Sequence, residues 1–170
     1  MATSSNYSGL WPLAAVVTVL PVAPAAAANY LGVEAAQRVL FPRADAFAPL
    51  RLAPTPAQLA AIAQAAGAQA GHGELRVWKA TRGAALEGYV FVDEVVGRQD
   101  FITYAVGIDA RGALRPVEIL EYRESHGGEI RNDRWLAQFA GRTSPESLRF
   151  RTDIKNIAGA TLSSEHVTAG

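Results

Sequence analysis

The sequence predicts an α+β fold: an antiparallel β-meander sheet with N-terminal helices before it and short C-terminal helices after it. Three observations lead there. Apolar residues recur at helical spacing on either side of the chain's centre. The centre itself, from Leu75 to Tyr122, changes to a period of two in four successive runs. The links between the last three runs, Gly97-Arg98-Gln99-Asp100 and Asp109-Ala110-Arg111-Gly112, are short and rich in turn residues. A parallel pairing needs a crossover of a dozen or more residues, so links this short make neighbouring strands antiparallel.

The first element is not part of that fold. No charged side chain occurs before Glu34, and Leu10 to Ala28 is apolar apart from Thr18, closing on small residues. Residues 1–28 therefore read as a secretory signal peptide cleaved near Ala26 to Ala28, leaving 29–170 as one domain. A membrane anchor is the alternative, although the stretch is barely long enough to span a bilayer. Pro12, Pro21 and Pro24 argue against a buried, uninterrupted helix.

Val33 to Leu40 then reads as a short helix stopped by Phe41-Pro42. Thr55-Pro56 sets a capping hydroxyl before a proline at the first helical position; Leu59, Ile62 and Ala66 follow at helical spacing, and Gly67 to Gly73 ends that helix. The strands expected next are Leu75 to Lys79, Tyr89 to Val96, Ile102 to Ile108 and Pro116 to Tyr122, the first two separated by a turn at Thr81-Arg82-Gly83. Trp135 to Phe139 is apolar at helical spacing, and a last helix is expected to begin near Ser163.

Composition removes several functions. Sixteen basic residues balance sixteen acidic ones, which leaves no electrostatic footprint for a nucleic-acid partner. Fourteen of the basic residues are Arg, which with the heavy Ala content fits a GC-rich coding bias better than a binding signal. There is no Cys, which excludes disulfides, thiolate metal sites, Cys nucleophiles and lipid attachment to cysteine. His72, His126 and His166 are far apart and lack metal-ligand spacing, so no metal is expected. Neither G-x-S-x-G, G-x-G-x-x-G nor a P-loop occurs. No residue is assigned as catalytic.

Two glycine-bearing segments carry the remaining chemistry. In the first, Glu124-Ser125-His126-Gly127-Gly128 leaves the last strand. It is either a wide turn or a bare backbone laid against a flat ligand. In the second, Gly159-Ala160 precedes Thr161-Leu162-Ser163-Ser164, and hydroxyls recur as far as Thr168. Either Thr161 or Ser163 caps the last helix, or the open N–H groups of that helix start meet a phosphate.

Gly159-Ala160-Thr161-Leu162-Ser163-Ser164, with Val167-Thr168 behind it, resembles the attachment motif of the FMN-binding domain family. That family includes the covalent-FMN subunits of the sodium-pumping NADH:quinone reductase and of Rnf-type complexes. Glu124 to Gly128 occupies the place of the family's loop beside the flavin, and Trp135 to Gly141 is similar to the helix that follows. Lys155 stands where many members are acidic, and Ala158 where serine is common. The resemblance implies FMN joined through its phosphate to Thr161 by an exported FAD:protein FMN transferase. Gly159, Ala160, Leu162, Ser163 and Ser164 would surround the phosphate, and Glu124, Ser125, His126, Gly127 and Gly128 would face the ring.

The implied function is an electron carrier on the periplasmic or extracytoplasmic face of the membrane, exchanging electrons with a membrane-bound redox protein. Two alternatives are a non-redox sensor or assembly module with FMN absent or loosely bound, and a small reductase that turns over a soluble acceptor.

Overall fold

The computed structural model describes residues 28–66 and 75–170. The expected leader, apart from Ala28, lies outside the described residues, as do His72 and the glycine-bearing end of the second helix. The described chain forms the expected α+β fold. Its sheet has six strands in the order β1-β6-β5-β4-β3-β2, every pairing antiparallel.

The run β2 to β6 is the meander: Ala46–Leu50, Arg76–Arg82, Ala85–Val96, Phe101–Asp109 and Glu118–Tyr122. Four of these strands answer the four alternating runs. β2 was not anticipated, because Ala46–Leu50 lacks alternation and contains Pro49. It lies at the sheet edge, where a missing N–H is tolerated. β1 (Ala28–Asn29) closes the other edge, opposite Tyr122 and Glu121. Its partner is the last strand in the chain, so no local pattern announces it.

Both faces of the sheet are covered. On one, α1 (Val33–Leu40) buries Ala36 and Leu40 with Val90, Val92, Ala105 and Leu120. Phe41, which ends α1, lies on the same face at Gly107, where a Cβ would come within 2.9 Å of its ring. On the other face, Val95, Ile102, Tyr104 and Ile119 meet the C-terminal third of the chain through Ile130, Trp135, Phe139, Ile154 and Val167. Alternate residues of β4 and β5 supply the two cores, as the two-residue period requires.

One irregularity decides where the site forms. The β5–β6 register shifts between Thr103 and Tyr104, so that Thr103 pairs with Glu121 but Tyr104 with Ile119. The extra residue turns Tyr122 onto the same face as Ile119, where a regular strand would have turned it away. Tyr122 is thereby aimed at the C-terminal segments.

α2 (Pro56–Ala66) begins as expected. The Thr55 N–H donates to Gln58 Oε1 at 2.9 Å and the Gln58 N–H to Thr55 Oγ1 at 3.3 Å, a reciprocal cap. The helix is exposed along Pro56 to Ala65, Leu59 and Ile62 included. Its stability is therefore local. Thr55→Ala is expected to loosen α2 by about 1 kcal/mol while leaving the global unfolding midpoint in place. Faster hydrogen exchange confined to α2 amides would show it; a shifted global midpoint would mean that α2 is docked.

Candidate functional site

Past β6 the chain makes a loop, a short 3-10 turn at Gly128–Arg131, α3 (Asp133–Leu136) and a second 3-10 turn at Ala137–Phe139. The expected Trp135–Phe139 helix is thus divided. Asn132 caps α3 by accepting from the N–H groups of Arg134 and Trp135. Trp135 is buried and stacks edge-on against Phe139, ring centres 5.1 Å apart. Its indole Nε1–H donates to the Lys155 carbonyl at 2.6 Å, and the Lys155 N–H donates to Gln138 Oε1 at 2.9 Å. α3 and the 3-10 turn after it therefore grip the backbone of the irregular segment that leads to Thr161. Only the main chain of Lys155 is used in this grip, and its side chain is exposed.

The last helix, α4, runs Thr161–Ala169 and starts two residues earlier than expected. Its N-cap is Ala160, and no side chain caps it. The hydroxyls go elsewhere. Ser164 is fully buried behind the cleft, donating to Asn156 Oδ1 and the Thr161 carbonyl. Ser163 faces Tyr122: the Tyr122 hydroxyl donates to the His126 carbonyl at 2.5 Å, so the 3.1 Å contact with Ser163 Oγ has serine as donor. The hydroxyl of Thr161 has no hydrogen-bond partner among the described residues, and its side chain is half-buried at the helix start. The N–H groups of Thr161, Leu162 and Ser163 precede the first intrahelical bond, from Ser164 to Ala160, and stay open.

The small residues before Thr161 have separate tasks. The Ala160 N–H donates to the Ile157 carbonyl, closing a turn in which Gly159 adopts φ +87° with open space where a Cβ would point. Ala160 is buried against Gly127, whose own φ is +88°. A Cβ on Gly127 would lie 3.4 Å from that of Ala160 and 2.6 Å from the Tyr122 hydroxyl. The two glycine-bearing segments thus pack on each other, with Tyr122 beneath them.

Together they enclose a cleft of about 420 Å³, lined by Glu124, Ser125 and His126 on one side and Gly159 to Ser163 on the other. Of the residues anticipated from sequence, Gly127 supports the cleft from behind, while Gly128 and Ser164 do not line it. The third wall was missed. Arg98 and Gln99, at the tip of the β4–β5 hairpin, face the opening. Glu124 holds that tip: Oε1 accepts from the N–H groups of Gln99 at 2.6 Å and Asp100 at 3.0 Å. A Cβ on Gly97 would stand 2.5 Å from the same oxygen, so a glycine is needed there. A turn sequence gives no sign of which loop it will meet, and Arg98 carried no other signal.

His126 reaches the cleft with Nδ1 3.0 Å from Ser125 Oγ. His166 is elsewhere, its Nδ1 bonded to the Val96 carbonyl, which fastens α4 to the end of β4.

Burial raises the Tyr122 phenol above its ordinary range; the Ser163 hydrogen bond opposes this, while Glu124 and Glu129 add to it. Tyr104 is raised further, by burial and then by Asp93. Phenols raised in the folded state hold their protons longer than in the unfolded chain. Their contribution to stability is intact below the unfolded value of about 10 and is lost as pH rises above it. Urea midpoints should therefore fall above about pH 10, and Tyr122→Phe should reduce that fall. An unchanged pH dependence in the variant would assign it to Tyr104 alone.

The site suits a phosphate-bearing flat ligand. It offers an unpartnered hydroxyl and three open N–H groups at one end. Leu162, 44% exposed, adds apolar surface, and the volume lies in the range of roughly 300–1,000 Å³ typical of small-molecule sites. Residues 97–170, which contain all three walls of the cleft, match the family model of the FMN-binding domain. No curated protein matches the chain.

Proposed function

We propose that this chain, whose residues 97–170 match the FMN-binding domain model, is an extracytoplasmic electron carrier with FMN esterified to Thr161. The observation that carries the reading is the free Thr161 hydroxyl at an uncapped helix start, inside a cleft with the family's match. In the linking step, Thr161 Oγ1 would form a bond to the FMN phosphorus of FAD. The pyrophosphate P–O bond would break, AMP would leave, and the threonine proton would be lost. The N–H groups of Leu162 and Ser163 would then hold the phosphate oxygens, and the backbone of Ser125 and His126 would border the ring. When bound, FMN supplies one- and two-electron transfer, and the protein positions it.

A phosphoester link suits a protein outside the cytoplasm, where a dissociated cofactor has no pool to return from. The charge-free stretch Leu10 to Ala28 supports export, and the membrane-bound redox partner rests on the family resemblance alone.

A second reading, a non-redox module with FMN loosely held or absent, is favoured by Lys155 and Ala158. Both are exposed, so they alter the surface a transferase would meet while leaving the cleft's backbone unaffected. The test is export of the full chain together with an FAD:protein FMN transferase, followed by a denaturing gel viewed under ultraviolet light. A fluorescent band supports the covalent carrier. A dark band would overturn it, and Lys155→Glu with Ala158→Ser would then show whether the exposed differences are responsible.

A further inference from the structure

A second cavity, of about 280 Å³, lies at the opposite end of the sheet, where β4 starts and β5 ends. The two cavities are separated by the length of β4, twelve residues or roughly 35–40 Å at strand rise. Four arginines line this one, Arg43, Arg82, Arg111 and Arg115, against two carboxylates, Glu87 and Asp109. Two positive charges are in excess.

Both carboxylates are already committed. Glu87 is mostly buried, with Oε2 3.2 Å from Arg43 and Oε1 3.1 Å from Arg82. Asp109 Oδ1 accepts from the N–H groups of Arg111 and Ala113, which hold its carboxyl below the ordinary range. Its other oxygen has only a loose 3.8 Å contact with Arg111, whose side chain is 90% exposed.

Arg115 makes no ion pair within 4 Å among the described residues, although its charge helps to hold the Asp109 carboxyl down. Its guanidinium lies over the Phe41 ring, 5.2 Å from the centre, and its stem fills the space above Gly107. Its Nε–H is buried without any hydrogen-bond partner. A buried donor of this kind costs about 1–3 kcal/mol if it stays unmatched. A planar guanidinium stacked on an aromatic face and lining a net-positive cavity matches an oxyanion in geometry and charge.

We propose that this cavity is an oxyanion site for a phosphate group, with the half-buried Arg115 as the anchor and Arg111 as the exposed arm. It is separate from the flavin cleft and does not depend on what that cleft holds. A soluble phosphate and the headgroup of an anionic phospholipid share the required chemistry.

The test is amide and arginine Nε–H chemical-shift mapping of the folded domain, titrated with inorganic phosphate against chloride at matched ionic strength. In parallel, the protein is sedimented with phosphatidylglycerol or phosphatidylcholine vesicles. The expected result is a saturable shift at Ala110, Gly112 and the Arg115 Nε–H, distinct from any at Leu162 and Ser163. Arg115→Gln should weaken it by about tenfold or more. Arg111→Gln, at a position too exposed to affect folding, should weaken it less. Shifts with phosphate alone assign a soluble ligand; sedimentation with phosphatidylglycerol only, lost in Arg115→Gln, assigns the headgroup. Absence of both, or shifts that persist unchanged in both variants, would overturn the proposal.

Discussion

Thr161→Val is expected to abolish denaturation-resistant flavin while leaving the fold in place. Valine keeps the shape and branching of threonine and removes only the hydroxyl. That hydroxyl makes no hydrogen bond among the described residues, so its loss should change stability by no more than about 0.5 kcal/mol. The chemical effect is all-or-none, because no other atom at that position can form a phosphoester. Thr161→Ser keeps the nucleophilic oxygen and should retain labelling, at lower yield, since serine lacks the methyl that restricts its rotamer. The measurement is flavin per protein after denaturation, taken with a melting curve for each variant. Flavin persisting in Thr161→Val would move the attachment to another hydroxyl; Thr168 is engaged with the Ser164 carbonyl and Ser163 with Tyr122, so neither is equally available.

Gly127→Val should have the second-largest effect, and it should act on fold and site together. Gly127 has φ +88°, a conformation that costs a β-branched residue about 1–2 kcal/mol. The added carbons would also press on the Tyr122 hydroxyl and on Ala160, an overpacking of about 1–3 kcal/mol. Destabilisation of roughly 2–4 kcal/mol follows, together with a displaced Ala160 turn and weaker flavin retention. Gly128→Ala is the control, because nothing lies within 4 Å of where its Cβ would be. It should behave like the parent in urea unfolding and in flavin content. Equal tolerance of both changes would mean that the Gly127–Ala160 contact does not hold the cleft together.

The Ala-Gly-Ala stretch ahead of Thr161 therefore has two causes that look alike in one-letter code. Gly159 is there for its backbone angle, with open space around it, and Ala160 for its small volume against Gly127. Part of the requirement is internal, the chain packing on itself. The early start of α4 has the same origin. Ser163 is drawn inward to Tyr122 instead of acting as a cap, and the helix begins at Thr161 behind Ala160, whose side chain cannot cap it.

The sequence by itself determined the elements whose cause is local. Period-two alternation produced β3 to β6, helical spacing with Phe41-Pro42 bounded α1, and Thr55-Pro56 with Gln58 started α2. It also singled out the two segments that the fold packs together at the cleft, since Glu124 to Gly128 and Gly159 to Ser164 are unusual in composition wherever they fold. Tertiary structure alone decided what those segments meet. The bulge that turns Tyr122 toward Ser163 arises from pairing between strands, not within one. The hairpin tip bearing Arg98 and Gln99 is brought to the cleft by Glu124, 25 residues beyond Gln99. The surplus guanidinium of Arg115 is visible only once Glu87 and Asp109 have taken their own partners. Periodicity reports the solvent that each residue faces, and partnership between distant residues leaves no period to read.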